Sequence, residues 1–241
     1  MRRTNRTPNS FRICAVIGSL LLGNLCTINT RLLQAEDGFK EIFNGKDLKG
    51  WKGNTELWSV EDGAITGRTS AEKPIQFNTF LIWDDGQVAD FVLELDYKMI
   101  GGNSGIQYRS KVLNEKDYVV GGYQADIDAT LKYAGINYEE KGRGILAQRG
   151  ERVTISESGE KKTERFADAE ELGKKIRSEK WNHYRVVAHG NTLSHYINDT
   201  LMSEVIDQQS EKAASKGVLA FQVHRGPPML IQFKNVRLKC E

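Results

Sequence analysis

Phe91-Val-Leu-Glu-Leu-Asp-Tyr-Lys-Met99 places Phe91, Leu93, Leu95, Tyr97 and Met99 on one face and Glu94, Asp96 and Lys98 on the other. Alternation with period two marks a strand with one buried side, because successive side chains leave the pleat in opposite directions. The same rhythm returns on both sides of this stretch. After Gly101-Gly102, residues 104–110 set Ile106 and Tyr108 against Gln107 and Arg109. Within 118–128, Tyr123, Ala125 and Ile127 oppose Gln124, Asp126 and Asp128. Upstream, Trp58-Ser-Val-Glu-Asp-Gly-Ala-Ile-Thr-Gly67 reads as a hairpin turning at Asp62-Gly63, and residues 77–84 form a further strand. Downstream, strands are expected at 181–189, 193–198, 201–205, 217–224 and 229–239, separated by Gly190-Asn191, Asn198-Asp199 and Arg225-Gly-Pro-Pro228. Residues 129–150 are rich in glycine and charge and read as a long loop. A polar hairpin at 151–166 and one short helix over 168–177 complete the pattern. Many short strands with almost no helix predict an all-β domain, a jelly-roll β-sandwich.

The first 35 residues stand apart. Four arginines between Arg2 and Arg12 precede a 13-residue apolar run, Ile13–Leu25, and Ala35 precedes Glu36-Asp37. This is the layout of a signal peptide, with 36–241 as the remaining domain. The apolar run falls short of the about 20 residues that span a bilayer. The expectation is export to the periplasm or beyond, with no membrane attachment after cleavage. Removing the segment's five arginines from 34 basic residues leaves 29 against 32 acidic ones, so the formal charge moves from +2 to −3. No electrostatic footprint for nucleic acid remains. Cys14 and Cys26 leave with the segment, so Cys240 has no disulfide partner and stability must come from the hydrophobic core.

Three strands carry functional polar groups opposite their apolar side: Gln107/Arg109, Gln124/Asp126/Asp128 and Gln222/His224. Glu94 and Asp96 are candidates for the same set. If these strands are neighbours, amides, carboxylates, a guanidinium and an imidazole converge on one patch, a composition suited to polyhydroxylated ligands. The alternative is a set of unrelated solvated side chains, since sheets commonly leave one face wet. His224 sits at a strand end, as a presented imidazole or a turn-packing one. Arg109 either contacts ligand or pairs with Asp96 across strands. Asp126 and Asp128 share a face and suit a base or a divalent cation, or are simply two edge carboxylates. His195 falls in register with Leu193 and Ile197 and is expected on the core side. Arg143, between two glycines, lies in the expected loop. Trp51, Trp58 and Trp83 are either platforms for sugar rings or core. The sequence has no Gly-x-Ser-x-Gly elbow, His-Glu-x-x-His, Walker loop or Rossmann glycine pattern.

Several segments also carry a family likeness: Phe43-Asn-Gly-Lys-Asp-Leu-Lys-Gly-Trp51, Trp58–Gly67, Asn103-Ser-Gly-Ile-Gln-Tyr-Arg109 and Gly122-Tyr-Gln-Ala-Asp126. Trp181-Asn-His-Tyr-Arg185, Gly190–Asn198 and Gln222-Val-His-Arg-Gly-Pro-Pro-Met229 continue it. Together they resemble the 3-keto-disaccharide hydrolase family. The resemblance implies a concanavalin A-like (lectin/glucanase) β-sandwich. It also implies cleavage of a glycoside already oxidised at C3 by a separate oxidoreductase, through removal of the C2 proton and elimination at C1. On that resemblance His224 is the expected acid/base, Asp126 the base or a metal ligand, and Arg109 with Gln124 the donors to enolate or hydroxyl. Asp96, Asn103 and Gln222 are expected to orient the ring, with Gln107, Asp128 and Arg143 also contacting substrate. A divalent ion held by Asp126 and Asp128 remains an open expectation, since no dense metal motif is present. A carbohydrate-binding module, a conventional glycosidase and a purely structural sandwich are the competing readings.

Overall fold

A computed structural model describes residues 38–240. The targeting-segment reading of residues 1–35 lies outside the described residues. Along the chain the strands are β1 (Lys40–Glu41), β2 (Trp51–Lys52), β3 (Trp58–Glu61), β4 (Ala64–Thr69), β5 (Thr79–Trp83) and β6 (Phe91–Ile100). They continue with β7 (Asn103–Asn114), β8 (Val119–Asp128), β9 (Asn137–Glu140), β10 (Gly144–Ala147), β11 (Glu151–Ile155) and β12 (Lys161–Arg165). After helix α1 (Ala169–Gly173) come β13 (Asn182–His189), β14 (Thr192–Ile197), β15 (Thr200–Asp207), β16 (Val218–Val223) and β17 (Met229–Cys240). Among the described residues no helix is long and apolar enough to cross a membrane.

The strands fall in two sheets that face each other across one core. One runs β12-β11-β15-β14-β13-β6-β17-β4-β3, with β1 on β17; the other runs β10-β9-β8-β7-β16-β5-β2. This is the all-β sandwich expected from the alternation. Phe91, Leu93, Leu95, Tyr97 and Met99 all point inward from β6, while Glu94 and Asp96 point away. Phe221 of the second sheet stacks on Phe233 of the first at 4.0 Å and on Trp51 at 4.9 Å, so one aromatic column joins the layers. Trp51, Trp58 and Trp83 are core residues, which removes them as sugar platforms.

His195 is fully buried between the sheets, as its register predicts. Its Nδ1 lies 3.1 Å from the Ile136 carbonyl, which can only accept, so Nδ1 carries the proton. Nε2 then accepts from the Tyr108 hydroxyl at 2.8 Å. Burial drives the imidazole down from 6.5 to about 3, and the ring is neutral in the fold.

Two expectations need correction. Residues 129–150 are not one long loop, because β9 and β10 form inside them and extend the second sheet. The helix is also shorter than 168–177. Asp168 caps it by accepting from the backbone of Glu170 and Glu171, but it covers only Ala169–Gly173. The polar hairpin at 151–166 is present as β11 and β12, and β12 is the exposed edge of its sheet.

The second sheet is strongly rolled. Bulges interrupt the β7–β8 ladder between Tyr108 and Lys111 and between Val112 and Asn114. The hairpin beyond them curls over β16 and β5. There Phe80 N donates to the Tyr118 carbonyl at 3.0 Å, and Thr79 Oγ1 to that of Asp117 at 2.8 Å. Phe80, Ile82, Val120 and Ala220 form a second small apolar cluster beneath the hairpin. That cluster fills one end of the outward face of this sheet. The other end stays open as a cleft.

Candidate active site

The floor of the cleft follows from strand pairing. On β7 and β8, Ile106, Tyr108, Tyr123, Ala125 and Ile127 enter the core, so the residues between them face the cleft side. The register sets Gln107 opposite Gln124 and Gly105 opposite Asp126. On the neighbouring β16, Leu219, Phe221 and Val223 take the core side and leave Gln222 on the floor side. The three polar strands singled out from sequence are therefore β8, β7 and β16, side by side.

Their amides form one chain. Ser110 Oγ donates to Gln107 Oε1 at 2.6 Å, and Gln107 Nε2 donates to Gln124 Oε1 at 2.7 Å. Gln222 Nε2 reaches the same Oε1 at 3.1 Å, and Gln124 Nε2 donates to Asp126 Oδ1 at 2.5 Å. Gly105 makes room for this: a Cβ there would stand 2.5 Å from Gln124 Cδ. Gln107 and Gln222 are fully buried and act from beneath, while Gln124 lines the cleft.

The cleft has a volume of about 550 Å³, within the size range of small-molecule sites. Asn103, Asp126, Asp128, Tyr138, Glu140 and His224 are among its lining residues. Asp126 is its most perturbed group. Burial raises its carboxyl from 3.8 to about 8, the charges of Glu140 and Asp128 add to the rise, and the amides of Gln124 and Asn103 oppose it. A buried carboxyl with one oxygen fixed by an amide and a pKa near 8 is equipped to exchange a proton with a bound ligand. His224 stands at the lip, on the turn between β16 and β17, with its backbone N–H on Met229 Sδ at 3.3 Å.

Asp128 lines the same cleft with its carboxylate already engaged. Thr130 N and Oγ1 and Tyr133 N donate to it at 3.1, 2.7 and 2.9 Å, shaping the following turn. That occupation argues against the ion expected at Asp126 and Asp128, and among the described residues no group of three or more His, Cys, Asp or Glu is placed to hold a metal. The donor set does not fit a divalent cation.

Three expected site residues lie elsewhere. Arg109 sits at the bulge with φ +46°, which turns it off the cleft side that simple alternation from Gln107 assigns it. Its guanidinium is buried against the carbonyls of Ala89 and Gly190, both at 2.7 Å, and Asp90 at 2.7 Å. The pairing with Asp96 is absent too. Asp96 is on the outward face of the opposite sheet, beside His183 and bonded to Asn235 Nδ2 at 2.7 Å. Arg143 is held by Glu139 and Asp207, both at 2.6 Å, and ties the β9–β10 turn to β15. Each of these side chains has a structural partner set that leaves none of it in the cleft.

Glu140, Tyr138 and Tyr133 were not foreseen. They belong to the stretch read as a loop, where Ile136 and Tyr138 between Gly135 and Gly142 are a short β-favouring signal.

In fold, the chain is similar to the carbohydrate-binding module CBM66 of Bacillus subtilis, with TM-score 0.52, 18% identity and coverage of 79% of this chain and 95% of that one. It is also similar to a Parabacteroides distasonis protein provisionally described as a glycosyl hydrolase, with TM-score 0.56, 18% identity and coverage of 84% and 99%. In sequence, 89 residues are 35% identical to a 3-keto-disaccharide hydrolase of Bacteroides thetaiotaomicron, a stretch covering 34% of this chain and only 30% of that relative. Over residues 38–239 the chain matches the model of the 3-keto-alpha-glucoside-1,2-lyase-like domain, and it belongs to that family.

Proposed function

We propose that this protein cleaves 3-keto-glycosides by elimination, with Asp126 as the base that removes the C2 proton. The observation that carries the reading is a buried carboxyl, raised to about 8, on the floor of a cleft lined with amides and hydroxyls. A C3 ketone acidifies the hydrogen on C2. Asp126 takes that proton, and the electron pair of the C–H bond forms the enolate. Asn103 and Gln124, which line the cleft, would donate to sugar oxygens. Collapse of the enolate breaks the C1–O bond, and the leaving oxygen takes a proton from His224 at the lip. The products are the free aglycone alcohol and a 2-hydroxy-3-keto-glucal. Adding water across C1=C2 then returns a 3-keto sugar, for a net hydrolysis.

This assignment keeps His224, Asp126, Gln124 and Asn103 from the sequence expectation and drops Arg109, Arg143 and Asp96. The supply of substrate requires a separate oxidoreductase acting at C3. Export, on the pattern of residues 1–35, would put the protein where extracellular glycosides are met.

One observation favours a second reading. Asp126, held protonated, shares the cleft with the carboxylate of Glu140, and an acid beside a carboxylate is the equipment of a conventional glycosidase. Incubation with a 3-keto-disaccharide and with its unoxidised parent separates the two. Aglycone released only from the ketone supports elimination; release from the parent supports the glycosidase. Binding of both without turnover means a binding module.

A further inference from the structure

Asn78 lies just before β5, outside the cleft lining, yet its side chain joins two lining residues. Its Nδ2 donates to Glu140 Oε1 at 3.2 Å, and its Oδ1 accepts from the backbone N–H of Arg225 at 3.0 Å. Glu140 ends β9, on one flank of the β8–β7 floor. Arg225 follows β16, on the other. One amide, using its donor and its acceptor at once, therefore ties the two flanks together at one end of the cleft. The roll of the sheet makes this reach possible, since the same hairpin that covers β5 brings β8 and β9 around toward it.

The floor also stops short in that direction. Ala220 pairs with Gln107 and Phe80 pairs with Gln222, so the apolar cluster of Phe80, Ile82, Val120 and Ala220 begins directly beside the buried amides. A glycan laid along the floor would meet first the Asn78 clasp and then this filled segment.

We propose that Asn78 is a specificity-determining residue that makes the cleft blind, so that it receives the end of a glycan and excludes an internal residue. The inference rests on the proposed 3-keto-glycoside reading for its kinetic test but not for its binding test. The first experiment compares two trisaccharides, one carrying the ketone on its terminal residue and the other on its middle residue. The wild type is expected to prefer the terminal ketone by about 100-fold or more in kcat/KM, and Asn78→Ala to lower that ratio by about tenfold, with its melting temperature recorded to confirm folding. Equal use of both ketones by the wild type, or an unchanged ratio in folded Asn78→Ala, overturns the proposal. Should no 3-keto-glycoside be turned over, the functional reading fails and calorimetry decides the blind cleft alone. Linear gluco-oligosaccharide is expected to bind and the cyclic form, which has no end, to be rejected. No difference between the linear and cyclic forms overturns the proposal.

Discussion

Replacing Asp126 by Asn is expected to make the protein more stable while abolishing turnover. The unfolded chain ionises this carboxyl near 3.8, whereas the folded chain holds its proton until about 8. Between those values the folded state binds more protons than the unfolded one, so this group's contribution to stability falls as pH rises and levels off above 8. At 1.36 kcal/mol per pKa unit, the burden at pH 7 is on the order of 4 kcal/mol. Asparagine carries no such burden, and its carbonyl still accepts from Gln124 Nε2, which holds Asp126 Oδ1 at 2.5 Å. Urea unfolding of wild type and Asp126→Asn at pH 4, 6 and 8 measures the difference. The two proteins should be nearly equal at pH 4, and the variant should lead by an amount that grows through about 4 kcal/mol at pH 7 toward about 5 kcal/mol at pH 8. A gap that does not widen with pH, or a variant less stable throughout, would refute the reasoning.

Other substitutions separate structure from chemistry. Arg109→Met strands the Ala89 and Gly190 carbonyls and takes the guanidinium from Asp90, which is partly exposed and keeps the Gly190 N–H and His189 beside it. A stability loss of about 2–4 kcal/mol is expected in urea, with activity per folded molecule retained. His195→Gln keeps groups for Tyr108 and Ile136 but removes a ring that is neutral in the fold down to about 3 and protonates near 6.5 when unfolded. The wild-type imidazole's contribution is lost as pH falls below 6.5, so the variant should gain about 2 kcal/mol on the wild type between pH 7 and pH 5, by urea titration. Gly105→Ala puts a Cβ 2.5 Å from Gln124 Cδ, and overpacking of about 1–3 kcal/mol with a loss of kcat is expected as the amide leaves Asp126. Glu140→Gln removes a charge that raises Asp126, so the alkaline-rising limb of the rate profile should move to lower pH.

The sandwich was legible in the sequence because β6, β8 and β7 as far as Tyr108 alternate cleanly, and an alternating strand leaves its faces little choice. Alternation located Gln124, Asp126 and Asp128 for the same reason. It failed at Arg109, since a bulge inserts one residue and reverses the face of everything local to it, and nothing in Gln107-Tyr108-Arg109 announces that. Asp96 was lost differently. Its face was read correctly as outward, but two sheets each have an outward face, and strand alternation cannot say which sheet a strand joins. Glu140 and Asn78 were missed because a four-residue strand with two glutamates resembles a loop, and because Asn78 reaches its partners only through the roll of the whole sheet. Local pattern gave strands and faces. Nonlocal pairing made the cleft.

Running the reaction on a 3-keto-disaccharide in D2O tests the assignment of Asp126 most directly. Elimination followed by hydration must exchange the C2 hydrogen, so the sugar product should carry one deuterium at C2, formed faster than without enzyme and lost with Asp126→Asn. A product released by the protein with its original hydrogen still on C2 would contradict the account.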